Sequence, residues 1–324
     1  FALNEFISMR KFAFILCLFL VFAEFADAQS FYSRRRDRLW MLSYGVGYSL
    51  YNGDMYDFLY DGISAAANPM VGVGIRRKFG SQLSLRLDLS WYQLGGNDSE
   101  GGASAIINRP AGRSSGESDT RFVRNLNFRA RNVEMSLLAT FNLIPVDGSY
   151  TRRPILNPYL MFGIGRSTNR PKTYLPGDEG NYSVNLWEIQ TEADAPVSSY
   201  PKMVTVIPFG IGVRIKASKQ IDILLEGARR FTFTDYLDDV ATVYPSVAEI
   251  IEWNGGIGSP QAQIALQIFD RSIEGGFEQR SPGNIRGRAN NDAYYIFQIR
   301  LEMYLPDNFL SELLSPSRRK PKFR

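Results

Sequence analysis

The densest group of carboxylates in the sequence is Asp235, Asp238 and Asp239, in a stretch that reads F-T-F-T-D-Y-L-D-D-V from residue 231 to residue 240. Carboxylate oxygens are the ligands that hard cations such as Ca²⁺ prefer, but this stretch lacks the ligand spacing and the turn glycine of an EF-hand loop. Thr and Asp side chains also accept hydrogen bonds from the first N–H groups of a helix. The pattern therefore favours Thr234 or Asp235 as the cap of a short helix, and no metal or cofactor is predicted.

The inventory of reactive side chains excludes most enzyme chemistry. The chain has no histidine and one cysteine, Cys17. Metal sites built from Cys and His, Ser-His-Asp triads and Cys-His nucleophiles are therefore ruled out. The net charge of +4 is not gathered into a basic stripe interleaved with exposed aromatic residues, so binding of nucleic acid is not expected. We expect a protein that is not an enzyme.

Residues 1–28 are predicted to comprise upstream residues, 1–8, and a secretory signal peptide that begins at Met9. Met9-Arg10-Lys11 is followed by an apolar run over residues 12–22, and Ala26-Asp27-Ala28 precedes Gln29. The apolar run is shorter than the about 20 residues that a spanning helix needs, which disfavours the alternative of a retained anchor helix. The mature chain is predicted to begin at Gln29.

Downstream of this segment, apolar residues alternate with small or polar ones. From Leu83 to Trp91 every second residue is Leu or Trp, and Ser84, Arg86, Asp88 and Ser90 lie between them. Only β-strands have a period of two. The pattern predicts eight strands, over residues 39–51, 69–79, 83–92, 128–142, 158–166, 204–215, 221–233 and 293–305.

The connections between these strands alternate in length. Residues 78–82 and 216–220 are tight turns and residues 143–157 form a moderate one, whereas residues 52–68, 95–127, 167–203 and 234–292 are long. Short turns at one end and long loops at the other are typical of outer-membrane barrels, with the long loops outside the cell. The fold class is therefore predicted as all-β, a small closed antiparallel transmembrane β-barrel of about eight strands over residues 29–305. A soluble β-sandwich is the alternative, but it does not need this asymmetry.

The same alternation places charged residues inside the barrel. An interior of about eight strands is only wide enough for side chains, so opposite charges there can pair across the lumen and plug it. The predicted lumen charge network comprises Arg86, Asp88, Arg214, Asp222, Glu226, Arg300 and Glu302.

Basic residues near the predicted periplasmic side are candidates for docking a partner. Residues 306–324 form a tail after the last strand that ends in basic residues, and an even strand count places both termini in the periplasm. The candidates are Arg152, Arg153, Arg318, Arg319, Lys320, Lys322 and Arg324. Solvated disorder of the tail is the alternative to an acidic partner or an anionic surface.

Three stretches resemble the PorG-like outer-membrane barrels that are attached to type IX protein secretion and gliding machinery. They are residues 231–240, residues 124–128 with 134–137, and residues 286–288 with 291–292. The residues that carry the strongest match are Phe231, Thr234, Asp235, Tyr236, Leu237, Asp238 and Asp239.

The resemblance implies a non-catalytic barrel in the outer membrane of a Gram-negative bacterium, where it anchors a secretion apparatus. Its implied partners are outer-membrane lipid and periplasmic secretion-ring proteins. The alternative function is that of a small OmpA-like or OmpW-like barrel for passive solute passage or outer-membrane integrity.

Overall fold

The structure is a computed structural model that describes residues 39–56, 67–98, 121, 123–147, 149–192, 200–287 and 290–306. The predicted upstream residues and signal peptide, residues 1–28, lie outside the described residues. So does the predicted basic tail over residues 306–324, except for Pro306.

Eight long strands account for most of the described chain. They are β1 (Trp40–Asn52), β2 (Asn68–Lys78), β3 (Leu83–Asn97), β4 (Asn127–Asn142), β5 (Leu156–Thr168), β8 (Met203–Lys216), β9 (Ile221–Thr232) and β10 (Ala293–Tyr304). The connections add two short strands, β6 (Pro171–Thr173) and β7 (Val184–Asn185), and two helices, α1 (Val247–Trp253) and α2 (Pro260–Ile268). Every segment predicted from alternation forms one of the long strands. Among the described residues, no helix has the length and apolar character needed to span a membrane.

Antiparallel pairing closes the eight long strands into a ring. Strand β1 pairs with β2 on one side and with β10 on the other, and the remaining strands pair in chain order, with β5 next to β8. The closing ladder runs from Met41 opposite Tyr304 to Asn52 opposite Ala293. Closure satisfies backbone groups on both sides of each strand and leaves no open sheet edge. The predicted closed eight-strand antiparallel barrel is confirmed.

The two faces of the barrel wall differ sharply in chemistry. Val46, Phe162 and Ile211 point outward, with exposed fractions of 62%, 58% and 64%. Arg86 and Asp88 point inward and are buried. This is the reverse of a water-soluble barrel, in which apolar side chains fill the interior and polar side chains face the solvent.

Glycines on the inner face make room for the charged side chains. A Cβ atom on Gly74 would lie 2.0 Å from Asp88 Oδ1 and 2.9 Å from Arg300 Nη2. The space beside this glycine in β2 is therefore occupied by side chains from β3 and β10. A larger residue at this position would displace a buried ion pair.

The two ends of the barrel differ in the size of their connections. At the turn end, residues 79–82, 143–155 and 217–220 join neighbouring strands, and the described chain begins and ends here, next to Trp40 and Tyr304. The loop end carries residues 53–67, 98–126, 169–202 and 233–292.

The described residues of the long connections form a folded cap on the loop end. Leu237, Tyr244 and Ile250 are buried in one apolar core that continues into the barrel through Tyr51 and Phe128. Helix α1 begins after Ser246, whose side chain accepts from the Glu249 N–H while Glu249 accepts from the Ser246 N–H. Such a capping box stabilises the start of a short helix. The cap and the barrel therefore share one core.

The assignment of the outward face to lipid predicts different energetic costs for one substitution at two depths. Leu87 and Leu83 both point outward from β3, and Leu83 is the first residue of the strand, at the turn end. We expect Leu87→Arg to destabilise the inserted barrel by roughly 2–4 kcal/mol and Leu83→Arg to cost only about 0–1 kcal/mol, because the cost of a charge depends on its depth in the lipid. Unfolding in urea from phosphocholine vesicles measures both. Equal costs would contradict the assignment of this face to lipid.

Candidate functional site: a charged lumen beneath a folded cap

The centre of the lumen is built around the Asp88 carboxylate on β3. Arg300 of β10 donates to both carboxylate oxygens, with Nη1 3.0 Å from Oδ2 and Nη2 3.0 Å from Oδ1. Arg86 of β3 lies beside the same carboxylate, with Nε 2.9 Å from Oδ2. Two guanidinium groups thus share one buried anion, and Ser43 accepts a further hydrogen bond from Arg300.

A second carboxylate, Glu226 of β9, completes the central layer. Arg86 Nη2 donates to Glu226 Oε2 over 2.9 Å, and Gln298 Nε2 donates to the same oxygen over 2.7 Å. The hydroxyl of Tyr159 donates to the other oxygen. Arg86 therefore bridges Asp88 and Glu226, which links β3 to β9 across the lumen.

The turn-end layer holds Asp222 and Glu302. Glu302 pairs with Arg76 of β2, and Arg214 of β8 lies 3.8 Å from each of the two acids. Arg153 donates from Nε to Asp222 Oδ1 over 2.8 Å. The structure therefore brings all seven predicted lumen residues into buried ion pairs.

The position of Arg153 contradicts its predicted role in docking a partner. This residue was a candidate for docking a periplasmic partner, but it is buried and also donates to the backbone carbonyl oxygens of Tyr150, Ser218 and Lys219. The physical reason is that Asp222 needs a counter-charge where β9 begins, and the turn before β5 supplies it. Arg152 is exposed at the same end, and the five tail candidates, residues 318–324, lie outside the described residues.

Several members of the lumen network were missed at the sequence level. Arg76, Glu134 and Arg230 follow the same alternation as the predicted residues, and Glu134 Oε2 accepts from the Tyr294 hydroxyl over 2.8 Å. Arg230 Nε lies 3.6 Å from that oxygen. Extending the alternation to each strand would have found these three, whereas Arg153 comes from a turn with no periodicity.

The lumen network fills the barrel rather than lining a channel. A buried charge is tolerated only when it is paired and hydrogen-bonded, because burial removes its hydration. Here the side chains of opposite strands meet directly, and Arg76, Arg86 and Arg300 are each about 1% exposed. The described lumen has the chemistry of a charged plug.

The cap holds a second buried polar cluster, centred on the hydroxyl of Tyr51. This oxygen lies 2.6 Å from Asp238 Oδ2 and 2.7 Å from Asp292 Oδ1. The N–H of Leu237 donates to Asp292, and the N–H of Val240 donates to Asp238. The carboxylates therefore tie the loop after β9 to the start of β10 and to β1.

This arrangement corrects the predicted helix cap. Residues 234–240 form no helix, and Thr234 instead accepts from the N–H of Tyr236 in a local turn. Asp235 is half-buried near other acids, and Phe231 points outward from β9. The predicted capping role is wrong because no helix begins after Thr234 or Asp235, and the neighbouring Asp238 is held by the Tyr51 hydroxyl and the Val240 N–H. Within the described ranges, no group of carboxylates is arranged to hold a metal ion.

Burial raises the pKa of several cap carboxyls. The pKa values of Asp238 and Asp292 are raised well above the usual range, first by burial and also by repulsion from neighbouring acids. Burial raises the pKa of Asp239 to about 7 despite the nearby Arg286, and it raises the pKa of Asp235 to about 7. Some of these acids therefore keep their protons near neutral pH.

Two arginines hold the cap loops together. Arg286 Nη1 donates to Glu192 Oε1 over 2.7 Å, and Glu192 also accepts from the N–H groups of Ala241 and Thr242. Arg124 donates to both Asp98 oxygens over 2.7 and 2.8 Å and to the carbonyl oxygen of Arg286. Arg286 also donates to the carbonyl oxygen of Asp239, so one residue from each of the three stretches that carry the family resemblance takes part in these contacts.

Several solved structures show distant similarity to this chain. Neisserial surface protein A is 10% identical with a TM-score of 0.34, and the match covers 82% of this chain and 97% of that one. Ail of Yersinia pestis, solved with the heparin analogue sucrose octasulfate, is 7% identical with a TM-score of 0.35 and coverage of 82% and 98%. A major outer membrane protein of Thermus thermophilus is 10% identical with a TM-score of 0.37 and coverage of 82% and 98%.

No protein-family model matches the sequence, and no curated protein does. Similarity at this level assigns neither a family nor a function to the chain.

The shared carboxylate predicts strong coupling in the lumen. Asp88→Asn leaves Arg300 buried without its counter-charge, so we expect a loss of about 3–5 kcal/mol in the free energy of unfolding. The double variant Asp88→Asn with Arg300→Gln removes the pair together and should recover much of that loss. Denaturant unfolding of the refolded protein measures both. A double variant that loses the sum of the two single costs would contradict direct pairing.

The raised pKa values predict that the cap is more stable at acidic pH. Between about pH 4 and pH 7 the Asp239 carboxyl is ionised in the unfolded chain but protonated in the fold. The folded state then binds more protons, so stability falls as the pH rises through this window. We expect the melting temperature by near-ultraviolet circular dichroism to fall accordingly, and Asp239→Asn to reduce the dependence. Glu179→Gln, at an exposed loop carboxyl, is the control, and an equal reduction by it would exclude Asp239 as the cause.

Proposed function

We propose that this chain is a non-catalytic, non-conducting outer-membrane β-barrel that holds a folded cap at the bacterial surface and contributes to outer-membrane integrity. The observation that carries the proposal is the combination of an apolar outer face with a lumen filled by paired charges. The apolar face needs lipid around it, and the filled lumen blocks the path for a solute.

The outer face supports placement in a membrane. Large apolar side chains are exposed on all eight long strands, a patch far larger than the few hundred Å² that soluble monomers usually expose. The strands are 11 to 16 residues long, and a tilted strand needs about 9–11 residues to span the hydrocarbon. A closed ring also satisfies its backbone hydrogen bonds without water.

The asymmetry of the connections supports an orientation. Outer-membrane barrels have short periplasmic turns and long extracellular loops. By this rule the cap lies outside the cell and the turn end, with Trp40 and Tyr304, lies in the periplasm. The absence of histidine from the whole chain supports a role without catalysis.

The charged plug supports one of the two forms of the alternative function. An eight-stranded barrel has an interior just wide enough for side chains, and here those side chains form ion pairs in successive layers. The cap core lies above the last layer. This arrangement favours a structural role over passive solute passage.

Anchoring of a type IX-like secretion apparatus stays a prediction from the sequence resemblance. Its strongest motif forms buried contacts in the cap, at the opposite end from the turns. Arg152 is the candidate docking residue that is both described and exposed. Co-purification of periplasmic ring proteins from native membranes, compared with an Arg152→Gln variant, tests this role.

Conductance in planar bilayers tests the proposed function. We expect the refolded wild-type protein, verified by heat-modifiable migration on gels, to give no conductance steps, because paired side chains fill the lumen. A variant with both Arg86→Ala and Glu226→Ala removes a cross-lumen pair without leaving either charge alone. Steps that occur only in this variant would locate the block in the lumen, and persistent steps in the wild-type protein would contradict the proposal.

A further inference from the structure

The outer face of the barrel changes from apolar to basic on one side of the loop end. On β4 the outward residues Leu137, Met135 and Val133 are followed, toward the cap, by Arg131 and Arg129. On β5 and β6 the outward residue Ile164 is followed by Arg166, Thr168, Arg170 and Lys172. We call the set Arg129, Arg131, Arg166, Arg170 and Lys172 the basic rim.

The pairing of strands concentrates these charges in a small area. Strand β6 pairs with the beginning of β4, and Arg129 lies directly opposite Lys172 in that ladder. Arg131 and Arg170 follow on the same face, two residues from Arg129 and Lys172. Arg166 donates to the Thr205 hydroxyl over 3.2 Å, and the Arg129 guanidinium lies 4.2 Å from the centre of the Tyr182 ring.

The basic rim has no counter-charge from the part of the chain that the structure describes. No carboxylate there lies within ion-pair distance of any of its five members, whereas Arg86, Arg153 and Arg300 in the lumen are each paired. Like charges directly opposite each other in a ladder destabilise the sheet. An anion from outside the chain would remove the repulsion between Arg129 and Lys172.

The rim is a local feature rather than a general property of this end of the barrel. Gln93 on β3 is the partner of Arg131 in the ladder, and the next outward residues of β3 are Gly95 and Asn97. The basic charges therefore stop at the β3–β4 boundary. Arg229 on β9 is a separate outward arginine, and it packs over the ring of Phe231 at 4.7 Å.

We propose that the basic rim binds the phosphate groups of lipids in the leaflet that surrounds the loop end. This rests on the proposed function, which places the strands in a bilayer. The rim begins one outward position beyond Val133 and Ile164, at the border of the apolar belt, which is where headgroup phosphates lie. Guanidinium groups bind phosphate oxygens in a bidentate manner, and each basic residue near an anionic surface contributes about 1 kcal/mol.

Native mass spectrometry of the full chain in detergent tests this proposal. The probes are phosphorylated lipid A and the same lipid with its phosphates removed. We expect the wild-type protein to retain the phosphorylated lipid preferentially. Arg131→Gln with Lys172→Gln should weaken that retention about thirtyfold, the equivalent of two contributions of about 1 kcal/mol. The charge-matched control, Arg229→Gln with Lys219→Gln, should retain the lipid as the wild type does.

The other outcomes overturn the proposal in distinct ways. Equal retention by the test and control variants would exclude the rim, and equal binding of the lipid without phosphates would exclude phosphate recognition. Displacement of the lipid by inorganic phosphate alone at low concentration would indicate a site for a free anion.

The variant Arg166→Gln with Arg170→Gln replaces Arg131→Gln with Lys172→Gln if the latter does not show heat-modifiable folding. A wild-type chain that fails to insert into vesicles would contradict the proposed function itself, whereas insertion without lipid preference contradicts only the rim.

Discussion

Closure of the sheet between β1 and β10 is the constraint on which the rest of this structure depends. With both edges paired, every second side chain of each strand points into a narrow interior, and the others point outward. Packed side chains rather than water surround each inward charge. Each of these charges therefore needs an opposite charge from elsewhere in the chain. The outward face is apolar because, in the proposed function, lipid rather than water surrounds the ring.

The lumen and the cap form one continuous body. Layers of ion pairs run from Asp222 and Glu302 at the turn end, through Asp88 and Glu226, to Glu134 below the cap. The stacked rings of Tyr92 and Tyr294, with centroids 4.9 Å apart, lie where the charged layers meet the apolar core of the cap. Because the described loop residues share that core with the strands, the barrel and its folded cap form one body.

The arginines of the lumen and those of the basic rim differ in their surroundings and therefore in their roles. The lumen arginines are buried and paired, and Arg86, Arg153 and Arg300 are each held by several hydrogen bonds, so they stabilise the closed ring as long as their acids remain. The arginines of the basic rim are at the outer border of the apolar belt and have no acid from the described chain beside them. The first group satisfies charge within the protein, whereas the second presents charge to its surroundings.

The sequence by itself determined the strands, their number and the face on which each residue of a strand lies, because a period of two is a local property that needs no partner. It placed Arg86, Asp88 and Glu226 inside for this reason. Only the tertiary structure decided that Arg86 bridges the other two, since that contact depends on register around the ring. The cap could not be predicted from periodicity: Thr234 or Asp235 was expected to cap a short helix, but residues 234–240 form no helix, and Tyr51 from β1 holds Asp238. The burial of Arg153 and the meeting of Arg129 with Lys172 likewise required the fold, because each joins a segment without a repeating pattern to a distant strand.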